Sequence, residues 1–163
     1  MPRKPGAITQ ALVAPDEEDP LDGSLDSLIG YALRRAQLKV FQQFIEDLRP
    51  FDLRPAQFSA LVIIESEPGL MQTDLARALT IEPPQVVTLL NKLESLGLAV
   101  RVRCKPDKRS YGIFLSKAGE IRLKQLRGIA MQSDEKATSA LSDDERQQFL
   151  TLLHKVYRSE SID

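Results

Sequence analysis

Gln72 to Lys92 reads QTDLARALTIEPPQVVTLLNK, and this stretch decides the fold. Leu75, Ala76 and Leu79 recur at helical spacing. Thr80-Ile81-Glu82 breaks the pattern, and Pro83-Pro84 restarts it, since proline is tolerated in a first turn whose N–H groups lack intrahelical partners. Val86, Leu89, Leu90, Leu93 and Leu96 then fill one helical face, which leaves Gln85, Val87, Thr88, Asn91 and Lys92 on the other. Two short amphipathic helices, a tight turn and a polar outer face on the second predict a helix-turn-helix. The second helix of such a unit fits the DNA major groove.

Packed helix pairs of other kinds imitate this pattern, so the sequence downstream matters. Gly97 is placed to end the second helix. Leu98 to Cys104 alternates, with Ala99, Arg101 and Arg103 on one side and Leu98, Val100 and Val102 on the other. Lys105-Pro106-Asp107-Lys108-Arg109 is a charged turn, Ser110 to Leu115 reads as a returning strand, and Ser116 is suited to cap the next helix. A helix-turn-helix followed by a basic hairpin is a winged helix. The expected fold class is mainly α with a small β-wing, flanked by N- and C-terminal helices.

The chain resembles the MarR family of bacterial transcription regulators. The resemblance is carried by Gln72-x-x-Leu75-Ala76, Leu93-Glu94-x-x-Gly97-Leu98, Arg101, Asp107-Lys108-Arg109 and Leu115-Ser116-x-x-Gly119, and extends from about Leu25 to Arg158. It implies a homodimer whose first and last helices form the subunit interface. By the same resemblance Arg109 is the wing residue that enters the minor groove, where narrow A·T tracts concentrate negative potential. Asp107 would brace the wing through an ion pair, with Arg101 and Arg109 as alternative partners. Relatives often carry an arginine near Thr88, and its absence argues against guanine reading there. Arg54 and Met71 stand where relatives often have Ser or Thr caps.

The rest of the chain fits this reading. Residues 1–23 hold Pro2, Pro5, Pro15, Pro20 and the acidic run Asp16 to Asp19, as in a solvated arm or one that packs on a partner subunit. Residues 24–54 form the first unit, with Ser24 as the expected cap of a helix running to about Asp47. Leu28, Ile29, Leu33, Val40, Phe41, Phe44 and Ile45 make that helix apolar on more than one side, so it needs a burial partner beyond its own domain. Residues 55–116 form the winged helix-turn-helix, opening with a helix over Ala56 to Ser66. Residues 117–163 complete the interface. There Lys117 to about Ala140 is one helix, Ser142 and Glu145 make a capping box, and Phe149, Leu152, Leu153, Val156 and Tyr157 stripe the last.

Charge is informative only locally. The chain is net −1, yet between Gly97 and Arg127 nine basic residues face Asp107 and Glu120 alone, a surplus of +7 that leaves the remainder at −8. A basic segment beside a recognition-like helix on an acidic body is the electrostatic footprint of a DNA-binding face. The DNA-contact candidates are Gln85, Val87, Thr88, Asn91 and Lys92 on the helix. Arg101, Arg103, Lys105, Asp107, Lys108 and Arg109 join them from the wing. Glutamine pairs bidentately with adenine, and Val or Thr contacts thymine methyls. A helical protein-interaction adaptor with a degenerate winged helix is the competing class, but it would have no need of the basic wing.

Other chemistries find little support. One cysteine and one histidine fall short of the about four ligands of a structural zinc site, and the lone Cys104 excludes an internal disulfide. Cys104 reads as an inert thiol, because redox-sensing relatives keep their reactive cysteine in the first helix. His154 has no catalytic companions, and no phosphate loop or Ser-His-Asp set occurs, so neither an enzyme nor a cofactor is expected. No apolar run approaches the ~18 residues of a membrane span, and a cytoplasmic location is expected. In relatives an effector lodges between the first, second and post-wing helices. The matching lining here is Tyr31, Arg34, Arg35, Leu38, Phe58 and Val62. Arg34 and Arg35 are read either as solvated cations or as an anion clamp. Tyr31 and Arg35 lie one helical turn apart, and Gly30-Tyr31-x-Leu33-Arg34-Arg35-Ala36-Gln37 looks like the opening of regulators near aromatic-acid catabolism. An aromatic carboxylate or its coenzyme A thioester is the effector this suggests.

Overall fold

The two prolines at the centre of the Gln72–Lys92 stretch start a helix. In the computed structural model, which describes residues 25–103 and 111–158, α3 spans Gln72–Leu79 and α4 spans Pro83–Ser95. Thr80 closes α3 in the left-handed region at φ 54°, which turns the chain into α4. Val86, Leu90 and Leu93 are fully buried and Leu89 nearly so. Gly97, at φ 69°, ends α4: its N–H donates to the Glu94 carbonyl and that of Leu98 to the Leu93 carbonyl, the paired bonds of a Schellman motif.

Around this pair, α1 spans Ile29–Leu48, a 3-10 turn Arg49–Phe51, α2 Pro55–Ser66, α5 Lys117–Ala137 and α6 Asp143–Arg158. Strands β1 (Ala99–Arg103) and β2 (Tyr111–Leu115) pair antiparallel with Val100 opposite Phe114 and Arg103 opposite Tyr111. Leu70 adds a bridge to Ile113 and so ties the entry of α3 to the wing. The core is one cluster of Leu48, Leu61, Ile64, Leu75, Leu90, Leu93, Ile113, Leu123 and Leu126, drawn from α1 to α5 and β2.

Ser116 caps α5 as its residue type suggests, accepting from the Gly119 N–H at 2.9 Å. Its own N–H donates to the Leu98 carbonyl. Gly119 lies directly against that carbonyl: a Cβ there would sit 1.9 Å from the Leu98 oxygen. The Leu-Ser-x-x-Gly motif is thus the joint between wing and α5.

Four boundaries differ from the sequence reading, one of them the start of α2 at Pro55 rather than Ala56. The first helix starts at Ile29 rather than after Ser24, because Leu25 to Leu28 close a turn of their own and Gly30 disfavours extending the helix through them. The post-wing helix stops at Ala137 rather than Ala140, where the Thr138 hydroxyl donates to the Asp134 carbonyl. The first strand is one residue shorter at its start than Leu98. Residues 1–23, the Ser24 cap, Cys104 and Ser110 lie outside the described residues.

Helix α6 contributes nothing to the core. Its capping box is formed, with the Glu145 carboxylate accepting from the Ser142 N–H at 2.8 Å and the Ser142 hydroxyl accepting from the Glu145 N–H. Yet none of its residues is buried, and Leu152, Val156 and Tyr157 are more than half exposed. Helix α1 likewise buries only Leu48 and leaves Ile29, Leu33 and Phe41 open. Both helices carry apolar stripes that stand largely open to solvent among the described residues.

Candidate nucleic-acid interface

Once the core takes Val86, Leu89, Leu90 and Leu93, α4 presents Pro84, Gln85, Val87, Thr88, Asn91 and Ser95 to solvent. Their side chains are partly committed already. The Gln85 carboxamide oxygen accepts from the Glu82 N–H at 3.0 Å and so holds the helix start. Thr88 donates its hydroxyl to the Pro84 carbonyl, which turns the side chain back along the helix. Val87 is 40% exposed, an apolar group on an otherwise polar ridge.

The wing is locked to this helix by one arginine. Arg101 Nη2 lies 2.5 Å from Glu94 Oε2 and 2.6 Å from Asn91 Oδ1, its Nε 3.1 Å and its backbone N 3.0 Å from Glu94 Oε1. Hydrogen bonding from Arg101 holds the Glu94 carboxyl below its ordinary range against an opposing desolvation, and Arg101 is raised in turn. Arg101 therefore turns inward between Ala99 and α4, while Val100 and Val102 face out. Arg103 spans the hairpin, donating from Nε to the Tyr111 hydroxyl at 2.9 Å. The remaining wing candidates, Lys105, Asp107, Lys108 and Arg109, lie outside the described residues.

Several cations of the basic segment are engaged within the protein. Arg127 pairs with Glu65, Lys117 with Glu120, and the Arg122 guanidinium lies 5.0 Å from the Phe51 ring centroid. Arg122 and Lys124 of α5 and Arg103 of the wing make no ion pair among the described residues.

On the opposite flank of α4, Lys92 forms an ion pair with Asp52 forty residues away in the chain. Asp52 reaches it from the left-handed residue that ends the 3-10 turn. This ion pair bridges the two walls of a groove of about 730 Å³, with Arg49, Asp52, Leu53, Arg54, Ala56 and Gln57 on one side and Gln85, Thr88, Leu89 and Lys92 on the other. Sequence reading missed Arg49 and Arg54, because both lie outside the basic run and in a segment marked by its helix-breaking prolines. A second groove, about 510 Å³, lies at the tips of α3 and α4 between Gln72, Thr73, Pro83, Pro84 and Val87.

The six effector candidates fall on α1 and α2. Arg35 Nη1 donates to the Tyr31 hydroxyl at 3.1 Å, with the guanidinium 5.8 Å from the ring centroid. Arg34 is exposed, Leu38 and Val62 are half-buried, and Phe58 packs edge-on against Phe44 at 5.3 Å. Neither groove contains any of the six. Among the described residues no group of three or more His, Cys, Asp or Glu could hold a metal, and no helix is long and apolar enough to cross a membrane.

Known proteins are similar to this chain in sequence and fold. The MarR family profile matches residues 51–110. A protein of Thauera aromatica assigned as the transcriptional regulator of the hcr operon is 32% identical over 140 residues, spanning 85% of this chain and 84% of its own length. The transcriptional repressor CouR, solved bound to a 23-mer DNA duplex, superposes with a TM-score of 0.79 at 38% identity, covering 85% of this chain and 99% of that one. CouR solved with p-coumaroyl-CoA gives 0.77 at 35% identity, covering 87% and 100%.

Proposed function

The chain belongs to the MarR family of transcriptional regulators, and on that premise we propose that it works as a homodimer on a pseudo-palindromic operator and is released by a small aromatic acid or its coenzyme A thioester. It is a DNA-binding winged-helix repressor, and its relatives are regulators rather than enzymes. The observation that carries the DNA reading is the Arg101 latch, which holds wing and recognition helix as one rigid reader.

In this reading α4 lies in the major groove. Gln85 would exchange its bond to Glu82 for adenine, Val87 and the Thr88 methyl would meet thymine methyls, and Asn91 and Lys92 would complete the row. Arg109 enters the minor groove, Lys105 and Lys108 take phosphates, and Asp107 stiffens the loop between them. Arg101 serves mainly as the brace behind Asn91, with Arg103 beside it on the wing. Residues 55–116 make up this reader. Residues 24–54 and 117–163 supply the subunit interface, a role supported by the open apolar stripes of α1 and α6.

The effector reading rests on Tyr31 and Arg35, an aromatic ring and a cation on one helix face, flanked by Arg34, Leu38, Phe58 and Val62. A guanidinium clamps a carboxylate or a phosphate bidentately, so the pair suits either form of the ligand. That CouR is solved with p-coumaroyl-CoA supports the thioester. The test is a thermal-shift titration with benzoates, hydroxycinnamates and their thioesters, followed by release of protein from operator DNA. Arg35→Ala should bind DNA as wild type does and fail to be released. If no compound raises the melting temperature, or Arg34→Ala and Arg35→Ala proteins respond as wild type, the effector assignment fails while the repressor remains.

A further inference from the structure

The 730 Å³ groove beside the recognition helix is bounded on one side by the base-reading row of α4 and on the other by Arg49, Asp52 and Arg54, to which neither base reading nor effector binding gives a role. An α-helix with its side chains is about 10–12 Å across and the major groove about 12 Å wide, so a docked helix leaves no slack. The sugar–phosphate strands on both flanks then press against whatever stands beside the helix. On one flank stands the wing, joined to α4 through Asn91 and Glu94. On the other, Gln85, Thr88 and Lys92 look across the groove at the corner between α1 and α2.

That corner is cationic where it faces outward. Arg49 and Arg54 are both exposed, and neither makes an ion pair among the described residues. Asp52, the one acid on that wall, is occupied by Lys92. Arg54 is the N-cap residue of α2, a position that favours Ser, Thr, Asp or Asn. A cation there opposes the helix dipole, and no acidic residue in the first turn compensates it. The Gln57 carboxamide caps the helix instead, accepting from the Arg54 N–H at 2.8 Å, and the Arg54 side chain makes no capping bond. A phosphate gives the guanidinium a partner, because cation and helix N-terminus then attract the same anion. Leu53 and Leu89, 3% and 7% exposed, anchor the two walls in the core, so the cations stand on a rigid shelf.

We propose that this groove carries one sugar–phosphate strand of the operator, with Arg49 and Arg54 as its phosphate ligands on the flank of the recognition helix opposite the wing. The inference rests on the reading of the chain as a DNA-binding repressor. Asp52 then acts as a positioning residue that keeps Lys92 aimed along the shelf.

The experiment measures affinity against salt concentration for wild type, Arg49→Gln, Arg54→Gln and the charge-conserving Arg49→Lys and Arg54→Lys. Lys155→Gln on α6 is the control, and the duplexes are a selected operator and an unrelated sequence. Each glutamine variant should lower the salt slope by about 1.8, about 0.9 for each subunit of the dimer, and weaken binding about 25–100-fold at 0.1 M salt, alike on both duplexes. The lysine variants should keep the slope, and all melting temperatures should match wild type. Glutamine variants with an unchanged slope and affinity within twofold of wild type would overturn the proposal. So would a loss confined to the operator, which would mean base reading instead. Wild type that binds neither duplex would instead remove the DNA-binding reading itself, and this inference with it.

Discussion

Gly119 shows what a single residue does for this fold and how little of that can be read ahead. Ser116 declares itself as an N-cap by its type and by the helical run after it. Nothing local to Gly119 says that the Leu98 carbonyl passes where its side chain would be, because that neighbour arrives through the wing. The same limit hid the pairing of Lys92 with Asp52, forty residues apart, and of Arg101 with Glu94, where the sequence offered Asp107 as a partner. Partners distant in sequence become legible only when the topology is known. Gly119→Ala forces a Cβ to 1.9 Å from a backbone oxygen that no rotamer change can move. It should therefore cost at least about 2 kcal/mol in urea unfolding, with loss of wing order and of DNA affinity. A variant as stable as wild type would mean that the joint between β1 and α5 is slack.

Among the elements, those with strong punctuation were legible. The prolines of α4, Gly97 and the Ser142–Glu145 box put helix ends where they are found, and α2 begins one residue ahead of its reading, at Pro55. The first helix and the end of α5 were misjudged by a few residues. The turn at Leu25 to Leu28 and the bond from Thr138 to Asp134 are backbone arrangements that many sequences allow. The link between α4 and the wing belongs to this scale as well, and it is sensitive to acid. Arg101 depresses the Glu94 carboxyl below its ordinary 4.5, so the folded latch binds a proton more weakly than the unfolded chain. Its stabilisation is complete above the ordinary value and is lost as pH falls through the lower, folded one. Glu94→Gln should be less stable than wild type at neutral pH, and the gap should narrow steadily below about pH 4.5 in urea melts. A gap that is constant with pH would show that the carboxylate charge does not hold the wing.

At the scale of the molecule, the sequence pointed to a winged helix with outlying helices, and its net charge of −1 concealed a basic wing. It did not show where the cations of α5 point: Arg127 pairs with Glu65, and Arg122 lies over the Phe51 ring. Periodicity identified the stripes of α1 and α6 but not how open they stand, with Ile29 at 80% and Tyr157 at 65% exposure. If those stripes are the seam between subunits, removing residues 142–163 should give a monomeric or insoluble protein in sedimentation. A well-behaved truncated dimer would place the seam elsewhere. Two linked readers must also match the helical repeat of their operator, with half-sites about 10–10.5 base pairs apart, centre to centre. Five base pairs inserted between the half-sites of a selected operator turn one of them to the far side of the duplex. Affinity should then fall at least about 100-fold, to that of a single half-site, because the second contact no longer benefits from the linkage. An operator that tolerates the insertion with unchanged affinity would contradict a dimer that reads both half-sites together.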